Sequence, residues 1–310
     1  MRQGAGGAAR AARVRAQAKL NLFLRILARE RSGYHQIETL FARIDLADDV
    51  VVRAGTRGRS LDVAGPELPT SGIGPAERNL AWRAALAYAE ATGWPEGFAI
   101  EITKRIPVGG GLGGGSADAG AVLRALNALA PRPAGERELA RIAAPLGADV
   151  PFMALSRPLA LAWGRGDRLL PLDGLPARPV ALLVPSFAIS TADAYGWVAA
   201  SRSESHAAGA SLLEPARLRD WRSLAELAAN DFEPEVVRRH PEIRALMEAL
   251  ARHGAPIARM SGSGSTVFGI VSDAAPPDVW DALAADAAAH GARLLRTRTA
   301  AHVEEVGVGE

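Results

Sequence analysis

From Val14 the chain alternates: Val14, Ala16, Ala18, Leu20, Leu22, Leu24 and Ile26 fall on one face, and Arg15, Gln17, Lys19, Asn21 and Arg25 on the other, with Phe23 the apolar exception. A period of two marks a strand with one face on the core. It places Lys19 and Asn21 side by side on the face turned away from that core. Arg31-Ser32-Gly33 reads as a turn, Ile37–Leu46 as a second extended run, and Asp48-Asp49 as a turn into Val50–Arg53. The Gly-, Pro- and Ser-rich stretch Ala54–Glu77 predicts loops with one short strand. Helical spacing follows over Asn79–Glu90, then alternation again over Phe98–Ile106, which delivers the chain into Pro107-Val108-Gly109-Gly110-Gly111-Leu112-Gly113-Gly114-Gly115-Ser116. A helix is predicted from there to about Ala130, with Val122, Leu126 and Leu129 on one side and Pro131 as its stop.

Further along, Leu139–Leu146 predicts a helix ended by Gly147, and the Gly/Pro/Arg-rich Gly164–Leu175 predicts a domain junction. Val180–Val184 reads as a buried strand, and Leu224–Asn230 and Glu242–Arg252 read as helices. A second glycine loop, Met260–Ser265, runs into the strand Thr266–Val271, and a helix (Asp278–His290) and a strand (Arg293–Val303) follow. Mixed strands and helices give an α+β class. The expected division is a disordered extension over residues 1–13, an N-terminal unit over 14–164 and a C-terminal unit over 165–310.

Composition narrows the chemistry. Among 310 residues, 48% are hydrophobic, enough for a large core or two. No run approaches the ~18 apolar residues of a membrane span, so no membrane partner is expected. Cysteine is absent, which excludes disulfides, thiolate metal sites and cysteine nucleophiles and fits a cytoplasmic enzyme. The net charge is +2, yet Arg2, Arg10, Arg13 and Arg15 sit together without an acid, so the basic surplus lies in the N-terminal tail. Aromatics make up 5% of the chain, which argues against a nucleic-acid surface. Of the 36 basic residues only Lys19 and Lys104 are lysines. A compact ammonium and a planar guanidinium are not equivalent at a tight site, and both survivors lie in strands that lead into candidate sites.

Residues Gly109–Gly115 hold six glycines in seven positions between a strand and a helix. Glycine lets the backbone approach an anion, and the helix N-terminus adds free N–H groups and the positive end of its dipole. Phosphate binding follows. Gly109-x-Gly111-x-x-Gly114 formally fits the dinucleotide fingerprint of an oxidoreductase, but the required acid about 20 residues on is misplaced. The lysine of a Walker A loop is missing, as are the His-Arg-Asp and Asp-Phe-Gly of protein kinases and the Gly-x-Ser-x-Gly of hydrolases.

Three motifs in order, the strand bearing Lys19, the loop Pro107–Ser116 and the late loop Ser261–Ser265, resemble the GHMP small-molecule kinases. Ala18-Lys19-Leu20-Asn21-Leu22-Phe23-Leu24, Gly33-Tyr34-His35 and Gly147-Ala148-Asp149-Val150-Pro151-Phe152 are similar, within that superfamily, to the family of 4-diphosphocytidyl-2-C-methyl-D-erythritol kinases. The resemblance implies a two-domain fold, an N-terminal domain like domain 2 of ribosomal protein S5 followed by an α/β C-terminal domain. It further implies ATP, with Mg²⁺, as phosphoryl donor and a cytidyl-diphosphate sugar alcohol as acceptor in the non-mevalonate isoprenoid route. It implies Asp149 as catalytic base with Lys19 beside it. A carboxylate is a feeble base at neutral pH, so its value lies in orienting the hydroxyl, while the ammonium steadies the charge on the phosphoryl group. Asn21, Tyr34, His35, Thr191 and Tyr195 are implied substrate contacts, with the aromatic rings against the cytosine. Asn79, Lys104, Pro107, Gly109, Gly110, Gly111, Gly113, Gly114, Gly115 and Ser116 are implied on the nucleotide side. The second serine that this family's loop usually carries is Ala117 here. The phosphate loop does not itself select the acceptor, so homoserine- and mevalonate-type kinases remain alternatives, with an oxidoreductase behind them.

Overall fold

The structure is a computed structural model, describing residues 10–30, 33, 35–201 and 213–309. Its elements in chain order are β1 (Arg10–Arg29), β2 (His35–Ala54), β3 (Arg59–Ala64), α1 (Leu80–Thr92), β4 (Phe98–Thr103), α2 (Gly114–Leu129), α3 (Glu136–Ala143), α4 (Val150–Ala154), β5 (Leu159–Gly164) and β6 (Arg168–Leu172). Then come β7 (Pro179–Pro185), α5 (Thr191–Ser201), α6 (Trp221–Leu227), α7 (Glu233–Arg239), α8 (Pro241–Arg252), β8 (Ile257–Met260), β9 (Val267–Ile270), α9 (Asp278–Ala289), β10 (Ala292–Arg298) and β11 (Gly307–Gly309). Tyr34, one of the expected acceptor contacts, lies outside the described residues.

Two sheets organise these elements. The larger runs β11-β1-β2-β4-β3, and β2 carries β5 and then β6 along its other half. The fork lies on β2: residues 37–42 pair with β5 and residues 49–54 with β4. Between them, opposite Gln17–Lys19 of β1, the ladder skips from Ala47 to Arg43. The smaller sheet runs β10-β7-β9-β8, all antiparallel.

The apolar stripe of β1 from Val14 to Ile26 is buried, as alternation predicts. Its upper part joins α1 and α2 in one core, while Leu24 and Ile26 belong to a second core beneath the smaller sheet with α5, α7 and α8. One strand thus serves both halves. Helix α2 buries eleven of its residues. It packs so closely on α4 that a Cβ on Gly120 would fall 2.4 Å from the Met153 carbonyl carbon, so only glycine fits there.

Four expectations are corrected. The strand begins at Arg10 rather than Val14, because residues 10–13 pair with both β2 and β11, so that part of the expected extension is sheet. Asp48-Asp49 is not a turn: both residues lie inside the 20-residue β2, where the ladder's irregularity supplies the bend. The polar face of β1 does not face away from the core. Gln17, Lys19 and Asn21 are each at most 4% exposed: the glycine loops close over Lys19 and Asn21, and the backbone at Glu304 meets the Gln17 side chain. Gly164, expected at the domain junction, is the last residue of β5, and β6 returns along β5 after a tight turn, so the chain leaves the larger sheet only after Leu172.

Candidate active site

A cavity of about 520 Å³ lies between the two halves, large enough for a ligand of cofactor size. The β1 strand contributes Lys19 and Asn21, the glycine loop its backbone, the start of α4 Asp149, the start of α5 Thr191 and Tyr195, and the late loop Gly262–Gly264. Lys19 Nζ donates to Asn21 Oδ1 at 2.6 Å and to Gly111 O at 3.1 Å, and lies 3.6 Å from Asp149 Oδ2. The Asn21 amide donates to Thr39 Oγ1 at 2.8 Å, which in turn donates to Phe23 O at 2.6 Å. Lys19 is therefore buried and fixed from three sides. The Asp149 side chain keeps 28% of its surface, so it meets both the lysine and the cavity. An ammonium against a reachable carboxylate is what orienting a hydroxyl near a transferring phosphoryl group requires.

The glycine loop is clamped by the late loop. Thr266 N donates to Gly110 O at 3.2 Å and Ser261 Oγ donates to Gly111 O at 3.0 Å. Gly111 has φ +78°, and a Cβ there would sit 2.1 Å from Ser261 O, so both conformation and contact demand glycine. Asn230 holds the late loop from behind, its amide donating to Met260 O at 2.7 Å and Gly262 O at 2.8 Å. Ala117 is buried on the core face of α2, so of the two serine positions Ser116 alone brings a hydroxyl to the cavity.

Lys104 sits at the fork of β2. Its ammonium donates to Asp48 Oδ2 and, at 2.7 Å, to Asp118 Oδ2, and all three side chains are at most 6% exposed. The other Asp48 oxygen accepts from the backbone N–H groups of Arg105 and Ile106, anchoring the entry to the glycine loop. One buried cation faces two carboxylates, so one negative charge is in excess. Burial accordingly pushes the Asp118 carboxyl up to about 8, despite the adjacent lysine. For Lys104, burial works downward, but the two carboxylates outweigh it and raise its pKa. Among the described residues, Asp118 Oδ1 is buried without a hydrogen-bond partner.

Of the expected residues, the structure brings Lys19, Asn21, Asn79, Lys104, Pro107, the six loop glycines, Ser116, Asp149, Thr191 and Tyr195 to one cavity. Asn79 also caps α1, its Oδ1 accepting from Ala81 N at 2.8 Å. Thr191 Oγ1 lies 2.9 Å from Ser263 Oγ, tying α5 to the late loop. His35 is not among the lining residues. Its ring stacks on Tyr195 with centroids 4.4 Å apart and planes 16° from parallel. A base cannot lie between two rings at one stacking distance, so in this arrangement there is no slot for a base between His35 and Tyr195. Tyr195 also meets Phe232 edge-on at 4.8 Å, and burial, with Asp149 nearby, pushes its phenol up to about 12. Asp48, Asp118 and Asn230 are missing from the sequence-derived set. Only Asp118 had a local signal: it stands in the first turns of the helix after the loop, where the resembled family commonly carries an acid.

The comparisons agree with this geometry. Residues 79–157 match the GHMP kinases N terminal domain and residues 211–289 the GHMP kinases C terminal model. A 4-diphosphocytidyl-2-C-methyl-D-erythritol kinase of Shouchella clausii (strain KSM-K16) is 39% identical over 260 residues, 83% of this chain and 85% of the relative. The chain belongs to the 4-diphosphocytidyl-2-C-methyl-D-erythritol kinase family. Another member, from Deinococcus radiodurans (strain ATCC 13939), is 40% identical over 262 residues, 84% of each chain. A crystal structure of a 4-(cytidine 5'-diphospho)-2C-methyl-D-erythritol kinase is 37% identical with a TM-score of 0.72, covering 93% of this chain and 98% of that one. A homoserine kinase from Cytophaga hutchinsonii shares the fold at 18% identity and a TM-score of 0.70, over 100% of this chain and 99% of that one. The two-domain GHMP kinase fold is thus established. Among the described residues, no helix is long and apolar enough to cross a membrane.

Proposed function

We propose that this kinase transfers the γ-phosphate of ATP to the 2-hydroxyl of 4-diphosphocytidyl-2-C-methyl-D-erythritol, a step of non-mevalonate isoprenoid synthesis carried out in the cytoplasm. The observation that carries the reading is the Lys19–Asp149 pair, 3.6 Å apart in the cavity that the glycine loop also lines. In this reading ATP is the phosphoryl donor, and Mg²⁺ bound with it would neutralise charge on the phosphates. The backbone N–H groups at the start of α2 receive the phosphates. Asp149 accepts the hydroxyl proton and aims the oxygen at phosphorus, while Lys19 neutralises charge building on the transferring group. The acceptor's nucleobase lies against Tyr195, with Asn21 and Thr191 toward the erythritol and diphosphate.

The units follow the same reading: the larger sheet with α1 and α2 serves the nucleotide, and the smaller sheet with α5 serves the acceptor. ATP turnover with the cytidyl acceptor, mevalonate and homoserine in parallel tests the assignment. Phosphorylation of the cytidyl acceptor alone is expected. Turnover of mevalonate or homoserine in its place would overturn it.

A further inference from the structure

Arg43 is 1% exposed, and among the described residues its guanidinium forms no ion pair: its hydrogen bonds go to backbone carbonyls. Nη2 donates to Phe152 O at 3.0 Å, Met153 O at 2.9 Å and Leu155 O at 3.0 Å, and Nε to Arg157 O at 3.3 Å. The guanidinium also lies 5.0 Å from the centre of the Phe152 ring. The Phe152 and Met153 carbonyls belong to the last turn of α4, Leu155 is its C-cap and Arg157 lies just beyond, while the N-cap of α4 is Asp149. Five residues are far too few to hold a helix by themselves, and the last carbonyls of any helix need outside donors. A cation at that end also complements the helix dipole. Because Met153 N donates to Asp149 O at 3.1 Å, gripping the Met153 carbonyl fixes the turn on which Asp149 stands.

The backbone of Arg43 is itself placed by the site. Across the β1–β2 ladder its partner is Lys19. A single cross-strand pair therefore sets both halves of the acid–base couple: Lys19 directly, and Asp149 through the grip of Arg43 on α4. Burial pulls the Arg43 guanidinium down to about 9, so the fold retains a charge where it is costly, which an apolar filler would avoid.

We propose that Arg43 is a positioning residue, setting the separation between Asp149 and Lys19 by capping α4; this rests on the reading of Asp149 as the group that orients the acceptor. A shift of about 1 Å in a reacting group is worth about 100-fold in rate. Arg43→Lys and Arg43→Met in the full chain, each with and without Asp149→Asn, test it by kcat, both KM values and melting temperature. Arg43→Lys keeps a cation that reaches one or two of the carbonyls, so it carries the test if Arg43→Met fails to fold.

For Arg43→Lys the expected result is a folded protein with kcat down about 10- to 100-fold and the ATP KM within about twofold. In the Asp149→Asn background the same change should alter the residual rate less than about twofold, because there is no base left to misplace. Wild-type kcat in folded Arg43→Lys would overturn the proposal. So would an equal fall in rate in both backgrounds, which is what a scaffold role predicts. The cycle is run on whichever acceptor the wild type phosphorylates, so failure of the acceptor assignment is seen in the wild type and is distinct from failure here.

Discussion

Replacing Asp118 by asparagine should remove a loss of stability that the wild type suffers as pH rises from about 6 to about 8. The carboxyl is raised in the folded protein from 3.8 to about 8, because Lys104 is already shared with Asp48 and burial disfavours a second unpaired charge. A carboxyl raised on folding contributes stability that is present below its unfolded value and is lost as pH climbs through the folded one. The slope is about 1.4 kcal/mol per pH unit, so from pH ~6 to ~8 the loss is about 2 kcal/mol once titration near the upper limit is included. For a chain of 310 residues that corresponds to a fall of about 3 °C in melting temperature. Lys104 does not cancel it, since a raised lysine titrates above this interval. Asparagine keeps the shape and the acceptor for Lys104 and cannot ionise. Melting curves of both proteins at several pH values give the difference directly, with all other groups held in common. The variant should gain on the wild type by about 3 °C across the interval, and its ATP KM should stay flat where that of the wild type rises above pH ~8. Parallel melting curves would refute the picture of a surplus buried charge.

Gly111→Ala should weaken ATP binding and cost about 1–3 kcal/mol, because the new Cβ meets Ser261 O at 2.1 Å on a backbone with φ +78°. Gly115→Ala, whose Cβ meets only a Leu80 methyl at 3.8 Å, should leave the melting temperature unchanged or higher; equal loss in the two variants would contradict the clamp. Tyr195→Ala should raise the acceptor KM about 10- to 100-fold with the ATP KM nearly unchanged, as one lost base stack of about 1–3 kcal/mol predicts. Tyr195→Phe should be mild, and an unchanged acceptor KM in Tyr195→Ala would remove the ring from the acceptor site.

The strand bearing Lys19, the glycine loop and the helix behind it were legible because their signals are local: alternation, glycine density and helical spacing. The lysine count was informative for a reason the structure makes plain. Lys104 points a single ammonium at two carboxylates in a space with almost no solvent, and Lys19 fits between Asn21, Gly111 O and Asp149. A guanidinium fork matches neither site. What could not be read locally depends on partners far along the chain. Asp48 looks like a turn residue beside Asp49 until Lys104, 56 positions away, is seen to pair with it. Arg43 is an ordinary strand arginine until it meets α4 more than a hundred positions on. Asn230 has no motif around it, and its purpose is the late loop thirty residues later. The expected junction, Gly164–Leu175, holds both the turn into β6 and the exit after Leu172, because glycines and arginines mark a tight hairpin as readily as a linker, and pairing of β6 with β5 decides between them.

The central claim is that Asp149, held beside Lys19, orients the acceptor hydroxyl for attack on ATP. The most direct measurement is the turnover of Asp149→Asn with ATP and the cytidyl acceptor, alongside a titration of ATP binding to the same protein. Asparagine preserves the shape of the side chain and removes the charge that aims the hydroxyl. ATP affinity should stay within about twofold of wild type and turnover should fall by about 10²–10⁴-fold. Turnover close to that of the wild type in a variant that binds ATP normally would contradict the central claim.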